Sequence, residues 1–260
     1  MTDYTQRKEI LLKGIKDGSF PKFLYKYRDP KERTEDIFRS SSIWFSQPSS
    51  FNDPFDCQLS EVEEHSDDDA SRFFSHILKG RSDEEYLMRS GPKKNELELI
   101  MEKAKSITLE RMGVLCLSKN FDSILMWSHY TDCHKGLVIE FDLEEDPDFF
   151  LSPVTVKYSS NYEPTNYFAN PEDSIKRIVS TKSDAWQYEA EVRILKPETK
   201  GLIEFKPKSI RRVIFGCKAD QIFIDKIRSL CSSPELKHVQ FSSMKIARSR
   251  FSLEHEHLAT

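Results

Sequence analysis

GVLCLS at residues 113–118 and GLVIEFD at residues 136–142 begin a run of short segments that decides the fold. Each segment of the run alternates β-branched or aromatic residues with polar ones, as strands do. The later members are PVTVKY (153–158), YEAEVRIL (188–195), GLIEFK (201–206), RRVIFG (211–216) and VQFSSMKIA (239–247). Helical patterns occur irregularly between them, in SILMWSHYTD, PEDSIKRIVSTK and ADQIFIDKIRSL. Strands in runs with scattered helices predict an α+β fold with a mostly antiparallel sheet and flanking helices.

The sequence before this run is mixed in character. FLYKY (23–27) and IWFS (43–46) have the composition of strands, and residues 7–17 place apolar side chains on one helical face. The first strand ends at Arg28, because Pro30 keeps Asp29 out of helical geometry.

Residues 61–112 differ from their surroundings. They begin with an acidic stretch, which indicates a solvated face, and continue as helical patterns around RFFSHILK, EEYLMR and NELELIMEKAKSITLERM. We expect one domain over residues 1–260, with 61–112 as a helical insertion within it. The final LEHEHLAT is expected to be frayed and to have no functional role.

The composition excludes several classes of protein. The 8 glycines of the 260 residues stand apart, and neither G-x-G-x-x-G nor G-x-x-x-x-G-K-[ST] can be written with them, so a Rossmann or P-loop phosphate site is not expected. The 39 basic and 43 acidic residues give a net charge of −4, which does not favour a nucleic-acid binder that depends on a basic surface. Widely spaced cysteines, the absence of a secretory-type start and the absence of a long apolar run predict a reduced cytoplasmic protein with no membrane partner.

The segment WQYEAEVRI (186–194) has charged residues at alternate positions. On a strand, Glu189, Glu191 and Arg193 would lie on one face, about 7 Å apart. Two carboxylates so close raise the pKa of one of them unless a cation such as Arg193 compensates. The pair suits a general base or a grip on a ribose hydroxyl. A solvated edge strand with a Glu–Arg ladder is the alternative.

The segment SILMWSHYTDCHKG (123–136) predicts a helix that carries aromatic residues at helical spacing. Trp127, Tyr130 and His134 would share one stripe, with His129 beside it. Such a stripe is typical of a core, and a platform for a ligand is the alternative, because the histidines and the tyrosine each need a buried partner or a ligand.

Neither a metal site nor a serine triad is expected in this region. The cysteines and histidines lack the paired spacing of structural zinc sites, and no H-E-x-x-H occurs. No G-x-S-x-G surrounds Ser118 or Ser128, so the nucleophile elbow of a serine hydrolase is absent.

The loop SSFNDPFD (49–56) places Asn52 and Asp53 before Pro54. Both side chains can hydrogen-bond the backbone of such a turn, so we interpret the loop first as a structural brace. A loop that lines a ligand pocket is the second interpretation.

Four motifs occur in order between about residue 24 and about residue 216. They are KYR, WFS followed by FNDPFD, MWSHY…HKG…IEFD, and W-x-Y-E-x-E-x-R. In combination they resemble a bacterial domain family of unknown function, a resemblance that implies no activity.

The chain also resembles, more distantly, the ADP-ribosyltransferases of the arginine–serine–glutamate type. Arg28 ends the first strand, Ser118 ends GVLCLS, and Glu189 and Glu191 form a late E-x-E. The resemblance implies an ADP-ribosyltransferase-like fold with a split sheet, which holds NAD without a glycine-rich loop.

The same resemblance implies the roles of individual residues. Glu191 would stabilise the positive charge that develops on the ribose when the nicotinamide bond breaks, and Glu189 would orient the nucleophile. Arg28 would bind the pyrophosphate. Trp127 or Tyr130 would stack on the nicotinamide. Ser118 and His129 complete the set of residues expected to bind NAD, which would be the substrate.

Two other functions stay open at this point. The motifs of a non-enzymatic module, in phage defence or a toxin system, would hold a nucleotide or a protein partner. A metal-dependent nuclease would need lysine where Arg193 follows Glu191. The sequence does not identify the acceptor, whether protein or nucleic acid.

Overall fold

The computed structural model describes residues 4–79 and 94–258. Those residues form twelve strands, β1 to β12 in chain order: Phe23–Arg28, Ser42–Phe45, Gly113–Ser118, Leu137–Asp142, Val154–Thr155, Lys157–Ser159, Thr181–Ser183, Glu191–Lys196, Gly201–Glu204, Ile210–Phe215, Gln240–Ile246 and Leu253–His257. Eight of them form one sheet in the order β12-β11-β10-β4-β1-β3-β8-β5.

The large sheet is antiparallel between all neighbours except β10 and β11, which are parallel. Two smaller pairs accompany it, β2 with β9 antiparallel and β6 with β7 parallel. The predicted mixed fold with a mainly antiparallel sheet is therefore confirmed.

Helices of the described residues span Tyr4–Asp17, Glu32–Ser40, Asp67–Leu78, Lys94–Arg111, Ile124–Tyr130, Pro171–Ile178 and Gln221–Leu230. The last three begin at side-chain caps, in which Ser123, Asn170 and Asp220 accept backbone N–H groups of the first turn. In the described part of the chain, no helix combines the length and the apolar character needed to cross a bilayer.

Within the segment 61–112, the helices Asp67–Leu78 and Lys94–Arg111 pack against later residues, whereas Glu61 forms a β-bridge with Thr165. Phe73 and Met101 form a buried cluster with Tyr167 and Phe168. The predicted helical stretch EEYLMR lies outside the described residues.

Alternation along the central strands divides the core into two layers. Leu24, Ile139 and Val213 point into the larger cluster on one face. Tyr25 and Val138 point into the second cluster on the other face. The polar site described below lies on the face of Tyr25.

The C-terminal segment is an ordered edge strand, so the prediction of a frayed end is wrong. β12 pairs with β11 from Ser242↔His257 to Ile246↔Leu253. Short alternating sequences such as LEHEH have little intrinsic preference, and here a neighbouring strand supplies the ladder hydrogen bonds that order the backbone.

β1 and β3 separate soon after they meet. β1 pairs with β4 along its whole length, from Phe23↔Asp142 to Arg28↔Leu137. With β3, which is also fully described, it shares the single register pair Tyr25↔Ser118. Beyond that pair the facing edges of the two strands lie apart, and a cavity opens between them.

Candidate functional site

The cavity between β1 and β3 has a volume of about 540 Å³, a size typical of small-molecule sites. Residues 25–27 of β1 and 116–118 of β3 all line it. Consecutive residues of a strand point to opposite faces, so a cavity above one face would contact only alternate residues. The cavity therefore reaches the separated strand edges themselves.

Lys182 lies at the centre of a group of buried acids on the cavity wall. Its Nζ lies 2.6 Å from Glu189 Oε2, 3.4 Å from Glu191 Oε2 and 3.4 Å from Asp56 Oδ2. The four residues line the cavity, and each is at most 7% exposed. The loop of Asp56, the start of β8 and the short strand β7 thus meet at one ammonium group.

Arg193 contacts two of these acids, Glu191 and Asp56, and is not part of the cavity wall. Its Nε and Nη2 donate to the two oxygens of Glu191 at 2.8 and 3.0 Å, and Nη2 also donates to Asp56 Oδ2 at 2.6 Å. Nη1 donates to the carbonyl of Val179 at 3.0 Å. Arg193 is fully buried. A bidentate pair of this kind fixes the plane of the Glu191 carboxylate.

The pKa values of the two glutamates in this cluster are shifted in opposite directions. Burial alone would raise the pKa of Glu191, but Arg193 and Lys182 outweigh it and hold that pKa at about 2. Burial raises the pKa of Glu189 above its ordinary value, and Lys182 and Tyr130 only partly oppose this. Glu191 is therefore a fixed anion, and Glu189 is the carboxyl that can exchange a proton nearer neutral pH.

Three further residues predicted for the site also line the cavity. The Tyr130 hydroxyl donates to Glu189 Oε1 at 2.5 Å. Ser118 Oγ donates to the carbonyl of Glu189 at 2.6 Å, so it positions the backbone at that residue. His129 Nδ1 lies 3.0 Å from the Tyr188 hydroxyl at the more exposed edge.

Arg28 and Trp127, which were also predicted for the site, lie away from the cavity wall. Arg28 Nε donates to Thr34 Oγ1 at 3.3 Å. Trp127 is fully buried in the core, and its indole N–H donates to the carbonyl of Phe121 at 2.7 Å. Of the residues to which the resemblance assigns a role with NAD, Tyr130 and Glu191 therefore line the cavity and Arg28 does not; Arg33 is the arginine among its lining residues.

The prediction of a strand through residues 186–189 is wrong. Residues Asp184–Glu189 form a 3₁₀ helix, and Ala190 is left-handed with φ 45° before β8 begins. Glu189 and Glu191 still meet at Lys182, because the backbone turns at Ala190 and does not continue as a strand. The alternative of a solvated edge strand is also wrong, since both acids are buried.

His134 does not share the predicted helical stripe. The helix ends at Tyr130, and Asp132, Cys133 and His134 all have positive φ, of 50°, 55° and 70°. The chain turns back there, so that the ring of His134 stacks on Trp127 at 6.4 Å between centroids.

The loop SSFNDPFD is both a brace and part of the cavity wall. Asp53 Oδ1 accepts the N–H of Phe55 at 3.0 Å, as the first interpretation predicted. Asn52 and Asp56 line the cavity, as the second predicted.

Lys182 and Lys26 were not among the predicted site residues, and Asp56 was included only as a member of the loop SSFNDPFD. Lys182 fell within the predicted helix PEDSIKRIVSTK, whereas the helix ends at Ile178 and Lys182 lies in β7. The alternation of Thr181, Lys182 and Ser183 was the available signal, but it is too short to predict burial.

These features define a mixed α+β protein with a polar cavity between two separated strands and a buried acid cluster on its wall. A family model described as "Protein of unknown function (DUF2971)" matches residues 126–194. The matched stretch includes Tyr130, Lys182, Glu189, Glu191 and Arg193, and it supports the prediction of an uncharacterised domain family. No curated protein and no solved structure matches the chain.

Proposed function

We propose that this protein is an enzyme that cleaves the N-glycosidic bond of a nucleotide, with NAD as the first candidate substrate. The observation that carries the proposal is the pair Glu189 and Glu191, which share one ammonium on the wall of a cavity but have pKa values displaced in opposite directions. In glycosidic chemistry, two carboxyls with different pKa values take different roles: one stays ionised and stabilises positive charge, and the other transfers a proton.

Glu191 would supply fixed negative charge. When the bond between ribose and nicotinamide breaks, its electron pair goes to the ring nitrogen, and positive charge develops on the ribose. A carboxylate already ionised and held by Arg193 can stabilise that charge without reorganising. The nicotinamide leaves as a neutral base and needs no proton.

Glu189 would move the proton. As water or an acceptor hydroxyl bonds to the ribose carbon, it must lose a proton, and ionised Glu189 can take it. Its raised pKa makes it a stronger base than an ordinary glutamate, and the Tyr130 hydroxyl orients the carboxylate. His129 and Tyr130 provide rings at the mouth for contact with a flat base.

Release of free nicotinamide from NAD tests this function. Purified protein is incubated with NAD, and nicotinamide is measured by chromatography. Glu189→Gln should reduce the rate by about 100- to 10,000-fold, the usual contribution of a general base. Glu204→Gln, at an exposed position on β9, should leave the rate within about twofold.

The outcomes separate an enzyme from a binding module. If NAD raises the melting temperature but no nicotinamide forms, the protein binds nucleotide without turnover, and the enzymatic proposal fails. Equal rates for Glu189→Gln and the parent would instead remove Glu189 from the mechanism. Activity that a chelator abolishes would favour a metal-dependent reaction.

A further inference from the structure

Lys26 lines the same cavity and has an environment unlike that of Lys182. Its Nζ crosses the gap between the separated strands and donates to the carbonyl of Cys116 at 2.9 Å. In the described chain, no carboxylate lies within ion-pair distance of it. An ammonium has three N–H donors, so two of them have no protein acceptor in the described chain.

The two lysines differ although they line one cavity. Lys182 contacts three carboxylates within 3.4 Å. Lys26 contacts one neutral carbonyl, and its burial lowers its pKa, which is the cost of holding a charge without a counter-ion. Lys182 is therefore paired directly with carboxylates, whereas the ammonium of Lys26 has no carboxylate partner in the described chain.

We infer that Lys26 is the anchor for a phosphate group of the ligand. A partly buried ammonium with free donors is a point charge suited to phosphate, and the lysines of phosphate sites act in this way. Arg33 and Asn52 line the same cavity and add N–H donors. The inference rests on the proposed function and narrows its substrate class to phosphorylated nucleotides, as opposed to nucleosides.

Lys26 lies where the two strands separate. A continued β1–β3 ladder would pair residues beyond Tyr25↔Ser118 and close the gap. Instead, the Lys26 side chain spans the gap, and its Nζ donates to the carbonyl of Cys116 on β3. The Lys26 ammonium thus lies between the edges of β1 and β3. A phosphate bound there would contact these strand edges and not a glycine-rich loop.

Binding measurements test the inference without turnover. ADP, adenosine and inorganic pyrophosphate are titrated into the parent protein, Lys26→Met and Lys237→Met by calorimetry. Lys237 is an exposed lysine in the loop after the helix Gln221–Leu230, so its variant carries the same charge change far from the cavity. Lys26→Met should weaken ADP binding about 10- to 100-fold and leave adenosine binding unchanged. Lys237→Met should bind both as the parent does.

Three results would overturn the inference. These are equal ADP affinity in Lys26→Met and the parent, equal loss of ADP and adenosine affinity, and failure of the parent to bind either ADP or pyrophosphate. If Lys26→Met does not fold, Lys26→Arg replaces it, and its ADP affinity should change at least threefold with adenosine affinity unaltered.

A further comparison separates this inference from the proposed function. If Lys26→Met weakens ADP binding but the parent protein releases no nicotinamide from NAD, the phosphate anchor is supported and the glycosidic function is contradicted. If the parent protein and Lys26→Met release nicotinamide at the same rate and bind ADP equally well, the glycosidic function is supported and the phosphate anchor is contradicted.

Discussion

Two buried groups of charged residues, one around Glu140 and one around Glu189 and Glu191, lie along one row that crosses the sheet, and they differ in charge balance. Register pairs join Arg212 to Glu140, Glu140 to Tyr25, Tyr25 to Ser118 and Ser118 to Glu191. Directly opposed residues share a face, so the row runs over one side of the sheet. Glu140 lies toward one end, and Glu191 lies at the other.

The single carboxylate of Glu140 is paired with two arginines. Arg212 donates to both of its oxygens at 2.8 and 3.1 Å, Arg211 donates at 3.1 Å, and the Tyr25 hydroxyl donates at 3.1 Å. Glu140 is 1% exposed and is not part of the cavity wall. Both oxygens of Glu140 therefore accept hydrogen bonds from protein donors, and its carboxylate does not face the cavity.

The cluster at the other end has fewer cations than acids. Asp56, Glu189 and Glu191 share Lys182 and Arg193, so in the described chain three carboxyls meet two cations. Burial raises the pKa of Glu189, Lys182 and Tyr130 only partly oppose it, and the charge of Glu191 adds to the rise. Glu189 also lines the cavity, where a ligand can reach it. The comparison teaches that buried charge alone does not define a candidate site, whereas an acid with a raised pKa beside a cavity does.

The largest difference between the clusters should appear when one arginine is removed from each. Arg193→Met leaves Glu191 and Asp56 buried with less compensation, and we expect a loss of about 3–5 kcal/mol in the free energy of unfolding. Arg211→Met should cost less than about 1 kcal/mol, because Arg211 is 41% exposed and Arg212 still holds Glu140. Urea denaturation measures both. Equal losses would show that the two clusters depend on their cations alike.

The pH dependence of stability should separate Glu191 from Glu189. Glu191 has its folded pKa lowered from 4.5 to about 2, so its stabilisation is present above pH 4.5 and is lost as the pH falls toward 2, by up to about 3 kcal/mol. Glu189 has its folded pKa raised, so its contribution is present below pH 4.5 and is lost as the pH rises through the folded value.

Each limb of that profile has its own variant. Unfolding free energies from pH 2.5 to 7 should show that Glu191→Gln flattens the acid limb and Glu189→Gln flattens the limb above pH 4.5. An acid limb unchanged in Glu191→Gln would mean that its carboxylate is not stabilised in the folded state.

Loss of the Tyr130 hydroxyl should have a smaller effect. Its hydrogen bond lowers the pKa of Glu189, so Tyr130→Phe should move the apparent pKa of the pH–rate profile upward. We also expect the rate of nicotinamide release at neutral pH to fall about tenfold, the effect of one hydrogen bond to a charged group. Tyr162→Phe, at an exposed tyrosine, serves as the control. A slower variant with an unshifted profile would assign Tyr130 a role in packing alone.

The smallest effect should come from Arg28. Because its side chain lies away from the cavity wall, Arg28→Lys should leave the KM for NAD within about twofold of the parent. Arg33→Gln should raise KM more, since Arg33 lines the cavity. The opposite order in steady-state kinetics would return Arg28 to the site.

Much of the site could be predicted, because polar and aromatic residues occur in excess of what packing requires. Ser118, His129, Tyr130, Glu189 and Glu191 were predicted to lie together, and all five line the cavity. The partners that decide their chemistry could not be predicted. Arg193 contacts Asp56 across 137 positions of sequence, and no local pattern carries information on such a contact.

The amino-acid sequence by itself determined the central strands, such as β3, β4 and β10, and the mainly antiparallel class of the sheet. GVLCLS, GLVIEFD and RRVIFG are short segments rich in apolar residues, a local pattern that predicts a strand, and in the structure most of their residues are buried. Tertiary structure alone decided where β1 and β3 separate, which lysine is paired with acids and which glutamate keeps a raised pKa. The lysine pairing and the raised pKa depend on charged groups that distant segments bring together. The energies of such groups in a buried site depend on atomic separation and solvent exposure, and not on sequence spacing.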